Sequence, residues 1–290
     1  MPLNPTQTRE RLTELGHAPR QPLGQNFLVD GNIVAKSLAL AEVLPRDHVV
    51  EIGPGLGTLT EALLEAEAEV WAIEFDKNLH DALARSVETN VSGTGSGGAG
   101  RLYLSHGDAL DEPLAKYPGK GPFKIVANLP YAIATPWLEA VLAGPLPKVM
   151  VLMLQKECAE RFTASPGTKK MGAISVFLSH AYRRGPGHRV ARQCFFPVPD
   201  VDSVLMHLER RPDARTFSEG ARRLIRDFFT QRRKQIGSLA RTRTSEHSWL
   251  PAWLECLPQF GASSATRPEA LPLEAWWALE ESRAAALQSL

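Results

Sequence analysis

Asn128-Leu129-Pro130-Tyr131 carries more chemistry per residue than any other stretch of this 290-residue chain. It follows an apolar run, 123–127, that reads as a buried strand, so it stands at that strand's carboxyl end. Asn128 offers a side-chain carbonyl. Leu129 offers a backbone carbonyl whose direction Pro130 shapes. Two neighbouring acceptors suit an exocyclic amine such as that of adenine. The lone pair of such an amine is delocalised into the ring. Holding its hydrogens aims that lone pair at an electrophile. Tyr131 supplies a ring on which a base drawn out of its helix or loop can stack, an interaction of about 1–3 kcal/mol. Phe195, in Cys194-Phe-Phe-Pro197-Val-Pro199, is a candidate to cover the base's other face.

Further polar groups fall at the ends of other predicted strands. Glu51-Ile-Gly53-Pro-Gly55-Leu-Gly57 follows the run 48–52. Glycines there let the backbone approach a ligand lying over the strand end. A dinucleotide fingerprint, G-x-G-x-x-G, would place glycine at position 58, which is Thr58. The form here is E-x-G-x-G-x-G. It resembles the first motif of class I methyltransferases, whose cofactor has no pyrophosphate. Glu74 ends the second strand, about 20 residues beyond the first glycine, where an acid can accept hydrogen bonds from two ribose hydroxyls. Asp108, in Gly107-Asp-Ala109, ends the third strand. Its carboxylate can take the amino group of an adenine or cap a helix.

The elements that must position these groups follow from the apolar pattern. A short helix is expected over 5–16, stopped by Gly16, and another runs from an Asp30 cap through Leu40. Strands are expected at 48–52, 69–73, 101–105, 123–127 and 148–154. Helices at 59–66, up to about Glu88, and at 135–143 lie between them. That rhythm specifies an α/β fold, a Rossmann-like doubly wound sheet. Late strands are expected at 174–180 and 203–208. Residues 92–100 are nearly all Gly, Ser, Thr and Ala, the composition of a surface loop. After Arg211 the pattern turns helical, with Leu224, Ile225, Phe228 and Phe229 as an apolar stripe within 216–234 and a last helix near 273–287. The expected division is a cofactor-binding domain over 1–209, with an N-terminal extension over 1–30, and a small all-helical domain over 210–290.

Net charge is +1, but it is unevenly spread. Residues 183–243 hold 15 Lys and Arg against 6 Asp and Glu, a segment that can follow a phosphate backbone. The 3 cysteines are scattered and form no C-x-x-C, which argues against a disulfide framework and a zinc site. No metal is expected. The polar N-terminus lacks a signal-peptide core, and no apolar run reaches the ~20 residues that span a bilayer. A reduced, cytoplasmic protein away from membranes, and a monomer, is the expectation.

On Gly24-Gln-Asn-Phe-Leu28, Glu51-Ile-Gly-Pro-Gly55, Ala127-Asn-Leu-Pro-Tyr131, Met153-Leu-Gln-Lys-Glu157 and Phe195-Phe-Pro-Val-Pro199 with Val201-Asp-Ser203, the chain resembles the KsgA-type ribosomal RNA adenine dimethyltransferases, kin of the Erm resistance methyltransferases. The likeness spans most of the chain. It implies S-adenosyl-L-methionine as cofactor. Asn26 and Leu28 would close over its methionine end, with Gly53 beneath, and Gln25, Glu51 and Gly55 would also belong to the cofactor site. Glu74 would hold the ribose, Asp108 with Ala109 the adenine, and Asn128 both cofactor and target amine. The resemblance implies four methyl transfers to two adjacent adenines near the 3′ end of small-subunit rRNA, within an assembling subunit. Arg222, Arg223, Arg226, Arg232, Arg233 and Lys234 would contact phosphates. Some positions depart from the family pattern: Met171 stands for a tyrosine, Asp200 for a basic residue, Arg20-Gln-Pro for a basic pair, and 92–100 is an insertion. Two alternatives stand within that frame, an Erm-like large-subunit enzyme and an inert assembly factor. A nicotinamide oxidoreductase is weakened by Thr58.

Overall fold

The computed structural model describes residues 3–20, 24–93 and 100–288. α1 (Pro5–Glu14) is fixed by its start: Asn4 accepts from the Gln7 N–H and the Gln7 side chain returns the bond, with Pro5 in the first turn. β1 (Phe27–Leu28) precedes α2 (Gly31–Leu40), which Asp30 caps through the N–H groups of Asn32 and Ile33. Then follow β2 (His48–Ile52), α3 (Thr58–Glu65), β3 (Glu69–Glu74), α4 (Lys77–Gly93), β4 (Arg101–His106), β5 (Phe123–Asn128), α5 (Ala134–Val141), β6 (Val149–Gln155) and α6 (Lys156–Phe162). α7 (Ala173–Ala181), β7 (Tyr182–Arg184), β8 (His188–Val190), β9 (Phe195–Phe196) and β10 (Ser203–Arg210) come next. α8 (Glu219–Thr230), α9 (Ile236–Arg241), α10 (Leu250–Cys256) and α11 (Leu273–Gln288) close the chain.

Packing divides the chain into two compact units. The first comprises Met1–Ala159 and Arg183–Arg210, the second Glu160–Tyr182 and Arg211–Leu290. The first is built on a sheet in the order β4-β3-β2-β5-β6-β10. β2 pairs in parallel with both β3 and β5, and β4 and β6 extend the parallel set outward. Chain order therefore reverses at β2, which opens a crevice at the carboxyl ends of β2 and β5. β10 runs antiparallel to β6, from Ser203 opposite Gln155 to Glu209 opposite Val149, and β8 adds to it. Val49, Val70, Ile125 and Leu152 are fully buried, as strands covered on both faces require. Separately, β1 and β9 form a two-stranded antiparallel ribbon, Phe27 opposite Phe196 and Leu28 opposite Phe195.

Most expected elements fall within a residue or two of their predicted ends. The run 174–180 does not: it is helix α7, not a strand. All of Ala173 to Leu178 is buried, so the run carries no alternation. A continuous apolar run is compatible with either element, and here Gly172 starts a helix. β10 is the expected antiparallel strand. α4 continues to Gly93, past its expected end, and residues 94–99 of the glycine-rich stretch lie outside the described residues.

The second unit takes in 160–182, which the sequence reading kept with the first domain. α7 packs on α8 and α11, and the core around them is aromatic. Trp253 lies 6.0 Å from Phe228 and 6.1 Å from Trp276, and its indole N–H donates to the Ala275 carbonyl at 2.9 Å. No helix among the described residues is long and apolar enough to cross a membrane.

Candidate active site

The crevice at the β2/β5 switch holds a cavity of about 220 Å³. Strand ends supply its walls: Glu51 and the glycine turn after β2, Glu74 and Phe75 at the end of β3, Gly107 to Ala109 after β4, and Asn128 to Ile133 after β5. Gly24 to Leu28 contribute from the N-terminal segment. The side chains singled out in the motifs for cofactor contact (Gln25, Asn26, Leu28, Glu51, Glu74, Asp108 and Asn128) all line it, with Gly53, Gly55 and Ala109. Glu51, Glu74, Asp108 and Asn128 converge because each lies at the carboxyl end of a parallel strand, and parallel strands end on one edge; Gln25, Asn26 and Leu28 reach the cavity from the N-terminal segment.

Glu74 is buried, and both of its oxygens are engaged. One accepts from the Gly55 N–H and the other from the Asp76 N–H, each at 2.9 Å. The glycine turn is thereby tied to the end of β3. Burial raises the Glu74 carboxyl above the ordinary carboxylate range, against the pull of those N–H donors. Glu51 is 2% exposed and accepts from the Thr60 hydroxyl at 2.7 Å. Desolvation pushes it up to about 8; the Thr60 bond opposes that and the nearby Glu74 reinforces it. Asp108 faces the cavity and accepts from the Leu110 N–H at 2.8 Å within a turn; no helix starts there, so of the two roles open to it in sequence the helix cap is not realised.

Two glycines take left-handed backbone. Gly53 has φ +66°, which alone disfavours a side chain, since a Cβ there would meet the Pro130 ring at an ordinary 3.4 Å. Gly24 has φ +64°, and a Cβ would also lie a tight 3.2 Å from the Tyr131 nitrogen, so backbone and steric reasons combine there. Asn128 donates its Nδ2 to the Asn26 carbonyl at 3.1 Å. That bond fixes the amide and leaves Oδ1 as the end available to a ligand. The Tyr131 hydroxyl and the Ser203 Oγ share a hydrogen bond at 2.9 Å, which orients the ring, and burial raises the phenol.

The lining suits a cationic nucleoside better than a dinucleotide. It carries Glu51, Glu74 and Asp108, and no Lys or Arg among the described residues that form it. A pyrophosphate would find three carboxylates and no cation. A sulfonium with an ammonium group, a ribose diol and an adenine amine finds acceptors for each.

Two expected sites are placed elsewhere. Phe195 is 1% exposed and packs in the core with Leu28, Val34 and Val190, away from the cavity wall. In the β1–β9 ribbon its side chain alternates inward while that of its neighbour Phe196 packs toward Phe27 and Leu12. Arg222 is 3% exposed, its guanidinium 5.2 Å over the Phe177 ring, so it is part of the packing of the second unit. It lies on the α8 face that also buries Ala221, Leu224, Ile225 and Phe228. Arg223 and Arg226 both bond to Glu219, and Arg232 lies 3.8 Å from Glu269. Arg233 and Lys234 are exposed.

Sequence reasoning missed Phe27, Phe75 and Asp76. Phe75 is 56% exposed beside Glu74 on the cavity wall. Its only signal in the sequence is an aromatic residue directly after the run that ends at Glu74. Asp76, two residues past Glu74 and just before α4, could have been read as that helix's cap.

Residues 16–249 match the family model described as ribosomal RNA adenine dimethylase. A protein of Opitutus terrae named ribosomal RNA small subunit methyltransferase A is 58% identical over 282 residues, 97% of this chain and 99% of its own length. Its namesake in Streptomyces griseus is 38% identical over 97% of this chain and 95% of its own length. A dimethyladenosine transferase from Plasmodium falciparum superposes with a TM-score of 0.67 at 24% identity, covering 87% of this chain and 95% of that one. The 23S rRNA methyltransferase ErmE gives 0.62 at 23% identity, with 89% and 100% covered. At these identities the solved structures speak to fold alone.

Proposed function

Because this chain belongs to the ribosomal RNA adenine dimethylase family, we propose that it methylates the exocyclic amines of two adjacent adenines near the 3′ end of small-subunit rRNA. S-adenosylmethionine, when bound, supplies an electrophilic sulfonium methyl. Glu74 would accept from its ribose hydroxyls and Asp108 from its adenine amine. Gln25, Asn26, Leu28 and Glu51 would enclose its methionine end, with Gly53 and Gly55. Asn128 Oδ1 and the Leu129 carbonyl would hold the hydrogens of the target amine and so orient its lone pair. The amine loses its proton after attack, so no strong base is required. Tyr131 stacks on the extruded base. Exposed Arg233 and Lys234 contact phosphates. The protein acts as a monomer on the assembling small subunit, in the cytoplasm.

The single observation behind this reading is Asn128. Its amide is oriented by the Asn26 carbonyl at the mouth of a cavity lined by carboxylates. The test is transfer of labelled methyl groups to small ribosomal subunits from a strain lacking adenine dimethylation, with large subunits as control. Dimethyladenosine in small-subunit rRNA alone is expected. Label in the large subunit would favour the Erm-like reading, and binding without label an inert assembly factor.

A further inference from the structure

The segment bearing Gly24 to Leu28 covers the cavity, yet little of it is regular structure: β1 is two residues long. What holds it lies one step away. Asp76 is 3% exposed at the start of α4. Its Oδ1 caps that helix through the N–H groups of Asn78 at 3.0 Å and Leu79 at 3.4 Å. Its Oδ2 is buried and takes no hydrogen bond among the described residues. The Arg20 guanidinium lies 3.3 Å from that oxygen, and the buried His17 ring lies 3.9 Å from Oδ1. His17 Nε2 and the Arg20 N–H both reach Gln25 Oε1, at 3.0 and 2.8 Å. Gln25 precedes Asn26, whose carbonyl holds Asn128. A continuous series of contacts therefore runs from the end of β3, through the N-terminal segment, to the Asn-Leu-Pro-Tyr turn.

We propose that Asp76, Arg20 and His17 are positioning residues that fasten the 24–28 segment over the cofactor cavity and, through Gln25 and Asn26, fix the Asn128 amide. The inference rests on the methyltransferase reading of that cavity. The driving force is the buried carboxylate. Its second oxygen takes no hydrogen bond among the described residues, so its charge is compensated by the Arg20 guanidinium, which comes to it when the segment is seated. Gln25 thus acts on both sides: its side chain receives the anchor, and its backbone sets where Asn26 sits. None of the three anchoring residues lines the cavity.

The test uses the full chain and four variants: Arg20→Ala, Arg20→Lys, Asp76→Asn and the double variant with Arg20→Ala. Asparagine keeps the helix cap while removing the charge. Affinity for S-adenosylmethionine and S-adenosylhomocysteine is measured by calorimetry. Amide exchange is followed over 24–28 without cofactor. Methyl transfer is measured at saturating cofactor. Arg20→Ala and Asp76→Asn are each expected to weaken cofactor binding about tenfold and to speed exchange over 24–28; saturating cofactor itself seats the segment and with it the Asn128 amide, so kcat under that condition changes less than about threefold. Arg20→Lys is expected to recover most of the affinity. The double variant is expected to be no weaker than either single one, because both break one contact. Unchanged affinity in Arg20→Ala would overturn the proposal, as would fully additive losses. Arg20 is 56% exposed in its side chain, so this variant decides the matter even if Asp76→Asn fails to fold. Failure of the unmodified chain to bind S-adenosylmethionine would instead overturn the functional reading beneath it.

Discussion

Asn128 and Glu51 act at the same cavity by different physics. Asn128 works through fixed direction: its Nδ2 is spent on the Asn26 carbonyl, so Oδ1 needs no reorganisation to receive an amine. Asn128→Ala is expected to lower kcat by about 10²–10³-fold with an unchanged unfolding midpoint, checked by single-turnover transfer beside thermal melts. Near-normal turnover would remove Asn128 from the mechanism. Glu51 works through burial. Desolvation raises its carboxyl to about 8, so without cofactor the folded chain holds a proton there that the unfolded chain releases near its ordinary 4.5. Folding therefore binds that proton between those values, and stability contributed by Glu51 is lost as pH rises through about 8. Glu51→Gln removes that dependence. Denaturant unfolding of the cofactor-free protein from pH 4.5 to 8.5 is expected to show the variant gaining on its parent as pH rises, by at most about 1.4 kcal/mol per unit. Parallel curves would mean that Glu51 is charged throughout.

Helix α8 separates arginines that composition treats alike. Residues 221, 222, 224, 225 and 228 share its buried face, so Arg222 packs its stem and guanidinium on Phe177. Arg223 and Arg226 are drawn to one carboxylate, Glu219, whose pKa they lower, chiefly through the Arg223 hydrogen bond. The net field that RNA would meet is smaller than the count of 15 basic residues against 6 acidic suggests. Arg222→Ala is expected to cost about 1–3 kcal/mol of stability and leave the salt dependence of RNA binding unaltered. Arg233→Ala with Lys234→Ala is expected to do the reverse. Each lost phosphate contact lowers the slope of log affinity against log salt by about 1. Filter binding across a salt series distinguishes the two.

Taken whole, the molecule is not a sequential pair of domains. The second unit draws 160–182 from the middle of the chain, and α7 lies against α8 and α11 within it. A chain ended after Arg210 keeps α7 but loses its partners. Ile174, Phe177, Leu178 and Ala181, all buried in the full chain, would be exposed. Each of the large ones forfeits about 1.5–3 kcal/mol of burial. Such a truncation is expected to aggregate or to bind a hydrophobic dye, whereas one that also replaces 160–182 with a short linker is expected to remain dispersed. Equal solubility of the two would show that α7 does not depend on those helices.

The alternation of strands and helices, the glycine turn, and the acids at strand ends were legible in the residues alone. Each is a local pattern, and parallel strands carry their ends to one edge by geometry. The Asn-Leu-Pro-Tyr turn was legible for the same reason, since its position after β5 is a property of a short stretch of chain. Tertiary structure decided what depended on distant partners. Phe195 was sent to the core by pairing with Leu28, and Arg222 was covered by Phe177. The run 174–180 is apolar without alternation, a pattern open to helix or strand, and its packing on α8 and α11 goes with the helix. Asp76 met Arg20 across more than fifty residues of sequence. Burial and charge pairing are sums over atoms that lie near in space and far along the chain, so no window of sequence contains them.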